Sequence, residues 1–377
     1  MQMSKEGRGV ADTLPGPELS IIVPTFNERE NIGRLVDLLE SCLAGVRWEL
    51  IVVDDDSPDN TADLVRGLAG VNAHVRCVQR IGRRGLSSAC LEGMLSSSAP
   101  FLVVMDGDLQ HDERLLPEML RQLKDGNYDL VVGSRYMAGG SIGRWEGVRA
   151  KTSRWATAAS RPWVPEGLTD PMSGFFALRR DTFHLLVRRT SGLGFKLLLD
   201  LFASSPRPLR FKELPFEFRT RQAGESKVDG QVVWEYFMLL LDKSIGRYVP
   251  VRLVAFALVG GSGVVVHITA LLLFYRGLSL PFAWGQGLAT VLAMTSNFTL
   301  NNLITYRDRR LTGWHWLRGW LSFALVCGLG AIGNVGVASY LFEQDLHWGL
   351  SAMAGIVVGT VWNYAVTASY TWKAKSR

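Results

Sequence analysis

An apolar run from Phe101 to Met105 stops at Asp106-Gly107-Asp108-Leu109-Gln110, two carboxylates one residue apart with an amide two residues on. If strand spacing persists past the run, residues i and i+2 share a side, and Asp106, Asp108 and Gln110 converge. Hard oxygen donors of this kind suit Mg²⁺ or Mn²⁺, and such an ion would sit on a diphosphate. Taken alone, the tripeptide reads as ordinary turn chemistry, so its neighbours must decide.

The neighbouring elements repeat the pattern. Residues 20–26 form a short apolar run followed by helical spacing at Ile32, Leu35, Val36 and Leu39, and Glu49 to Val53 runs into Asp54-Asp55-Asp56-Ser57-Pro58-Asp59 before another helix. Three adjacent carboxylates repel unless donors face them, and a nucleotide's base and ribose would serve. A third run, Val75 to Gln79, leads into the basic, glycine-containing turn Arg80 to Ala89, which opens a helix but matches neither the dinucleotide fingerprint nor a Walker loop. Tyr128 to Val132 then delivers Gly133-Ser134-Arg135-Tyr136. Alternating strands and helices with carboxylates at strand ends predict an α/β fold whose mostly parallel sheet holds its ligand at the carboxyl edge.

Six motifs occur in order: Pro24-Thr25-Phe26-Asn27-Glu28, Asp54 to Asp59, Asp106 to His111, Gly133 to Tyr136, Asp170-Pro171-Met172-Ser173-Gly174-Phe175-Phe176 and Gly224-Glu225-Ser226-Lys227. Over residues 19 to about 230 this resembles the family-2 glycosyltransferases, and among them the polyprenyl-phosphate (dolichol-phosphate) mannose synthase branch. The resemblance implies a Rossmann-like GT-A domain that transfers mannose with inversion from GDP-mannose to a polyprenyl phosphate, with UDP-glucose as the alternative donor. Pro24, Phe26, Glu28, Val53 and Asp55 would line the nucleoside pocket, with strand-end packing an alternative for Pro24 and Val53. Asp106, Gly107 and Asp108 would meet the nucleotide sugar; Asp106, Asp108 and Gln110 would hold Mg²⁺ or Mn²⁺, and Arg135, Arg221 and Lys227 would clamp the diphosphate. Asp108, Arg135 and Arg221 are the expected catalytic residues. Two departures stand out: Asp56 where the family usually has Gly, and Phe26 where it often has Tyr.

On the acceptor side, a lipid phosphate arrives with close to two negative charges, so it needs cations but no general base. By motif position Arg135, Arg149 and Ser153 would bind it. The surrounding stretch, with Arg144, Lys151, Arg154, Arg161, Trp145, Trp155 and Trp163, is basic and tryptophan-rich in the way a membrane-facing acceptor loop would be. Residues 219–229 read as a lid.

From about Val251 the composition changes to four apolar segments near 253–275, 280–304, 317–342 and 348–371, each long enough to span a bilayer. Positive charge gathers at Lys243, Arg247 and Arg252, at Arg307, Arg309, Arg310 and Arg318, and at Lys373, Lys375 and Arg377, which places both termini and the catalytic half in the cytoplasm. This half resembles a small four-helix GtrA-like membrane module. Between the halves, Val233, Trp234, Phe237, Met238, Leu241 and Ile245 recur at helical spacing, as in an interfacial amphipathic helix. Asn297, Asn334 and Asn363 read as helix–helix hydrogen bonders, while His267 stays open. The expected organisation is a tail at 1–18, a transferase domain at 19–230, the interfacial helix at 231–250 and the membrane domain at 251–377.

The scattered cysteines, Cys42, Cys77, Cys90 and Cys327, suggest reduced thiols. The net charge of +6 comes without a basic helix or aromatic-basic ladder for nucleic acid, and fits a bilayer partner. A translocator or scaffold with a decayed transferase half is the reading from another class, disfavoured by the intact set Asp106, Asp108, Gln110, Arg135, Arg221 and Lys227.

Overall fold

A computed structural model of the chain describes residues 16–138, 158–192, 194–219, 230–246 and 248–373, which divide into two compact units, 1–243 and 244–377. Arg149, Ser153, Arg221, Lys227 and most of the expected acceptor loop and lid fall outside the described residues.

In the first unit the apolar runs form a seven-stranded sheet, β1 (Leu19–Thr25), β2 (Trp48–Asp54), β3 (Val75–Gln79), β4 (Phe101–Val104), β5 (Leu130–Ser134), β6 (Phe176–Arg179) and β7 (Phe211–Pro215). The order is β3-β2-β1-β4-β6-β5-β7, parallel except for β6, which runs antiparallel to both of its neighbours. Alternation sorts the strand side chains onto two faces. Ile21, Val23, Leu50, Val52 and Val103 meet Leu35 and Leu39 of α1 (Arg29–Cys42), Val65 of α2 (Thr61–Val71) and Met119 and Leu123 of α4 (Leu116–Asp125). Ile22, Ile51, Val53, Leu102 and Val104 meet Cys90 and Met94 of α3 (Leu86–Leu95), Phe183 of α5 (Arg180–Leu186) and Leu198 and Leu201 of α6 (Leu197–Ala203). With both faces covered, the central strands are largely apolar instead of alternating, the buried Ser20 and Glu49 hydrogen-bonding each other across β1 and β2. The chain adds β2 and β3 on one side of β1 and then returns to its other side with β4, so a switch point opens at the carboxyl ends of β1 and β4.

The next helix, α7 (Gly230–Ile245), covers the expected interfacial segment, but Lys243 is no solvent-facing flank. Its Nζ lies 2.5 Å from Asp200 Oδ1 and donates to Ser204 Oγ at 2.9 Å, while Tyr236 and Leu239 of the same face pack with Met172 and Leu199. Spacing alone could not distinguish a cation bound for headgroups from one bound for a buried carboxylate. Val233 and Phe237, on the other side, are exposed.

The second unit comprises α8 (Val251–Leu271), α9 (Phe282–Leu300), α10 (Gly313–Glu343) and α11 (Trp348–Val366). Three of its helical segments, Val251–Gly277, Gly313–Glu343 and Trp348–Thr371, are long and apolar enough to cross a membrane; α9 is diluted by Gln286, Thr290, Thr295, Ser296 and Asn297. The unit repeats itself. Phe256-Ala-Leu-Val-x-Gly-x-Gly263 recurs as Phe323-Ala-Leu-Val-x-Gly-x-Gly330, and Asn297, Phe298, Thr305, Tyr306 and Arg307 recur as Asn363, Tyr364, Thr371, Trp372 and Lys373. Equivalent residues meet about a local twofold. Tyr306 stacks on Trp372 at 4.2 Å, Phe256 meets Phe323 at 6.4 Å, and Phe256–Tyr364 at 5.9 Å is answered by Phe323–Phe298 at 5.6 Å. Asn297 fills the notch at Gly263 and Asn363 the notch at Gly330, where no Cβ would fit. The expected interhelical hydrogen bonds from these asparagines are not what the notches supply, because each Oδ1 is buried with no partner among the described residues.

Candidate active site

The sheet's carboxyl edge collects the acidic residues. Asp54, at the end of β2, accepts from Thr25 Oγ1 (3.0 Å), Ser57 N (2.9 Å) and Ser57 Oγ (2.5 Å). Asp55 accepts from Arg80 Nη1 (2.6 Å) and Gly85 N (2.7 Å); burial pushes its carboxyl up, against the pull of both donors. The donors that make three adjacent carboxylates tolerable thus come from the protein itself, not from a nucleotide alone as the sequence suggested. Arg80 is 2% exposed and also lies 3.2 Å from Glu92, while Arg83 pairs with Glu92 at 2.9 Å. The basic turn accordingly props the β2 loop, with Arg84 as the arginine stacked over Phe26, 4.2 Å from the ring centre.

Asp56 takes φ 58° and accepts from Gln79 Nε2 at 2.9 Å. A left-handed residue at this point accounts for the family's glycine. The β1 loop is tied to the same turn, with Asn27 N donating to Ser57 Oγ (3.0 Å) and Arg29 N to Asp59 Oδ2 (3.2 Å). Glu28 accepts from Asn31 Nδ2 at 2.7 Å. Pro24 pairs in register with Val53, whose side chain is wholly buried and packs on the α3 side of the sheet near Gly93, so only its backbone faces the crevice edge.

Strand alternation does not extend through Asp106, Asp108 and Gln110, because β4 ends at Val104. The three lie in a turn: Leu109 takes φ 63°, and Gly107 lies so close to β1 that an added Cβ would meet Val23 Cγ1 at 3.1 Å. Asp108 is 5% exposed and accepts from Gln110 N at 3.1 Å; Asp106 is the more open of the two, with 36% of its side chain exposed. Gln110 Nε2 donates to Arg219 O at 3.0 Å, which leaves Oε1 as the end that could accept or ligate. Among the described residues no three His, Cys, Asp or Glu side chains are grouped to hold a metal by themselves. Two carboxylates and an amide are the oxygen donors that a hard divalent ion would take.

His111 carries no role in the sequence reading, yet it shapes this turn. Its Nδ1 accepts from Asp106 N at 3.0 Å, so the proton sits on Nε2, 3.7 Å from Asp106 Oδ2. Burial lowers its pKa to about 4, with Asp108 opposing, and the ring stacks on Phe175 at 5.0 Å. A neutral imidazole therefore orients the carboxylate without competing for its charge. Gly174 backs the other side: a Cβ there would stand 3.3 Å from Asp106 Oδ2.

Arg135 is held by Asp170, a residue the motif contained but to which no task was attached. Nε and Nη2 donate to the two Asp170 oxygens at 2.7 and 2.8 Å, and Asp170 is fully buried. Asp170 N and Thr169 in turn donate to Glu213 of β7. The fork is used on one edge, which directs Nη1 away from Asp170.

Residues 20–186 match Glycosyl transferase family 2, and residues 255–372 match the GtrA/DPMS transmembrane domain. A Dolichol-phosphate mannosyltransferase from Pyrococcus furiosus is 33% identical over 358 residues, covering 94% of this chain and 99% of that protein. One of the same name from Mycosarcoma maydis is 36% identical over 63% of this chain and 83% of its own length. Glucosyl-3-phosphoglycerate synthase from Mycobacterium tuberculosis superposes at a TM-score of 0.47 with 20% identity, over 60% of this chain and 80% of that one. With its strand-end carboxylates, its bidentate arginine and an end-to-end relative at this identity, the chain belongs to glycosyl transferase family 2, joined to a GtrA/DPMS transmembrane domain.

Proposed function

We propose that this glycosyltransferase moves mannose from GDP-mannose to a polyprenyl phosphate. The Asp106–Asp108–Gln110 turn at the β1/β4 switch point, in a chain that aligns along 99% of a Dolichol-phosphate mannosyltransferase, carries the reading. Asp106, Asp108 and Gln110 would hold a Mg²⁺ or Mn²⁺ ion, which when bound would supply positive charge for a departing diphosphate. The rest is the work of side chains. Thr25, Ser57 and Arg80 fix the loops that take the nucleoside, with Phe26, Glu28 and Asp55 on them. Arg135, kept rigid by Asp170, presents Nη1 to phosphate, and Arg221, Lys227, Arg149 and Ser153 add the lid and acceptor contacts. The acceptor phosphate is already ionised, so its oxygen attacks the anomeric carbon as the bond to the diphosphate breaks, and a single displacement inverts that centre.

On this reading α9 is the fourth span, with Thr295 accepting from Trp320 Nε1 of α10 and Asn297 seated at Gly263 of α8, and Arg252, Arg307, Arg309, Arg310 and Lys373 mark the cytoplasmic side; Lys243, being buried, drops out of that count. The deciding assay incubates membranes with polyprenyl phosphate and radiolabelled GDP-mannose, UDP-glucose or UDP-galactose and extracts the lipid. Label from GDP-mannose alone is expected; label from a UDP-sugar instead overturns the donor.

A further inference from the structure

Lys196 precedes α6 at the end of a turn pinned at two points: Gly192 N donates to Asp200 Oδ2 at 2.9 Å, and Gly194 O accepts from Ser87 N at 3.2 Å. Gly192 and Gly194 take φ 64° and 69°, left-handed conformations that suit glycine. It is a poor place for a lysine. Cap positions favour short oxygen-bearing side chains, and a cation at a helix N-terminus opposes the macrodipole.

Its surroundings make the placement odder. The side chain is partly enclosed, and Leu199, one turn on, packs with Met172 in the loop that carries Asp170; burial pulls the ammonium below its ordinary range, Arg135 adds to that, and the carboxylates of Asp170 and Asp106 oppose it. Neither nearby carboxylate serves as its partner. Asp170 is occupied by the Arg135 fork, and Asp106 lies against His111 and Gly174 in the metal turn. Asp200, one helical turn on, is taken by Lys243, Ser191 and Gly192. Among the described residues Lys196 forms no ion pair. An enclosed ammonium without a counter-charge is costly unless an anion arrives to supply one.

We propose that Lys196 is a substrate-binding residue of the transfer site, its ammonium meeting a phosphoryl oxygen beside Arg135 when substrate is bound. This rests on the transfer reaction proposed above. Two phosphates could be that anion, the donor's diphosphate and the acceptor's monophosphate, and both present the same chemistry.

The test uses the full-length protein in nanodiscs, as wild type, Lys196→Gln, Lys196→Met and Lys196→Arg. Calorimetry with GDP and with farnesyl phosphate is read separately, together with KM for each substrate and the unfolding temperature of the ligand-free protein. Lys196→Gln should weaken one of the two ligands roughly tenfold or more, as expected for loss of a charge-assisted hydrogen bond, and Lys196→Arg should restore part of it. Weakening of farnesyl phosphate alone assigns the acceptor, and weakening of GDP alone assigns the donor. Lys196→Met should leave the ligand-free unfolding temperature unchanged or raised. A lowered temperature with ligand affinities and both KM values intact would mean a structural lysine and overturn the proposal, as would variants indistinguishable from wild type. If wild type itself transfers nothing and binds neither ligand, the transfer reading fails first and takes this one with it.

Discussion

At the scale of single residues, most of the site's precision comes from groups that touch no substrate. Asp106 is confined between the His111 ring and the Gly174 backbone, so the protein itself fixes the direction of its carboxylate. Gly174→Ala puts a methyl group 3.3 Å from Asp106 Oδ2. Because that contact is tight but yields with a small rotation of the carboxylate, the expected result is a metal dependence shifted about tenfold, in line with altered outer-shell partners, with the fold retained; titrating activity against Mn²⁺ checks it, and an unchanged curve refutes it. Asp108→Asn should be more severe. A neutral amide leaves the ion one negative charge short, so turnover should fall below detection while circular dichroism stays native; near-normal turnover by this variant, or by wild type in excess chelator, would remove the metal from the reaction.

Elements position these residues through contacts that also tie α7 to the site. Tyr236 and Leu239 pack with Met172, in the loop that carries Asp170 and Gly174, and with Leu199, one turn after Lys196. Lys243 joins Asp200 in a pair whose members are 8% and 0% exposed. Removing one partner of a buried pair leaves the other charge uncompensated, so Lys243→Met should destabilise the first unit by about 3 kcal/mol. The double variant Lys243→Met/Asp200→Leu should recover a good part of the loss. Thermal unfolding of the two variants decides the matter, since equal losses would mean that the ion pair contributes nothing beyond its packing. The helix is thus packed into the transferase unit, and on its other side Val233 and Phe237 are exposed.

The whole molecule divides where its chemistry divides. The Asp106–Gln110 turn, the Arg135–Asp170 fork and the β2 loop belong to the unit that closes at Lys243, and the second unit is built from two repeated helical hairpins with a shared aromatic centre. A fragment ending at Val249 should therefore bind GDP-mannose with metal and slowly mannosylate a short, soluble prenyl phosphate. It should lose most activity towards a long-chain acceptor in bilayers, where exposing isoprenoid to water costs about 0.8 kcal/mol per CH₂. Assaying fragment and full chain on both acceptors at matched concentration tests this; a folded fragment inert on the short acceptor would show that the second unit completes the active site.

Hydropathy period and turn chemistry are local properties, and they made the strands, the carboxylates at their ends, the apolar segments after Val251 and the order of the family motifs legible in the sequence alone. The tandem repeat was equally legible there, as two Phe-Ala-Leu-Val-x-Gly-x-Gly stretches, although hydropathy by itself shows only apolar length. What tertiary structure decided is which charge meets which. Arg80 lies 25 residues from Asp55, Arg135 35 residues from Asp170, and Lys243 sits on another element from Asp200; nothing in the spacing distinguishes these cations from ones held out for phosphate. That Asp106, Asp108 and Gln110 lie in a turn and not on the strand was not foreseen, since the end of β4 at Val104, the left-handed Leu109 and the close approach of Gly107 to Val23 are features of the folded backbone. Pairwise electrostatics and close packing act through space, so residues far apart in the chain settle them only once the sheet has assembled.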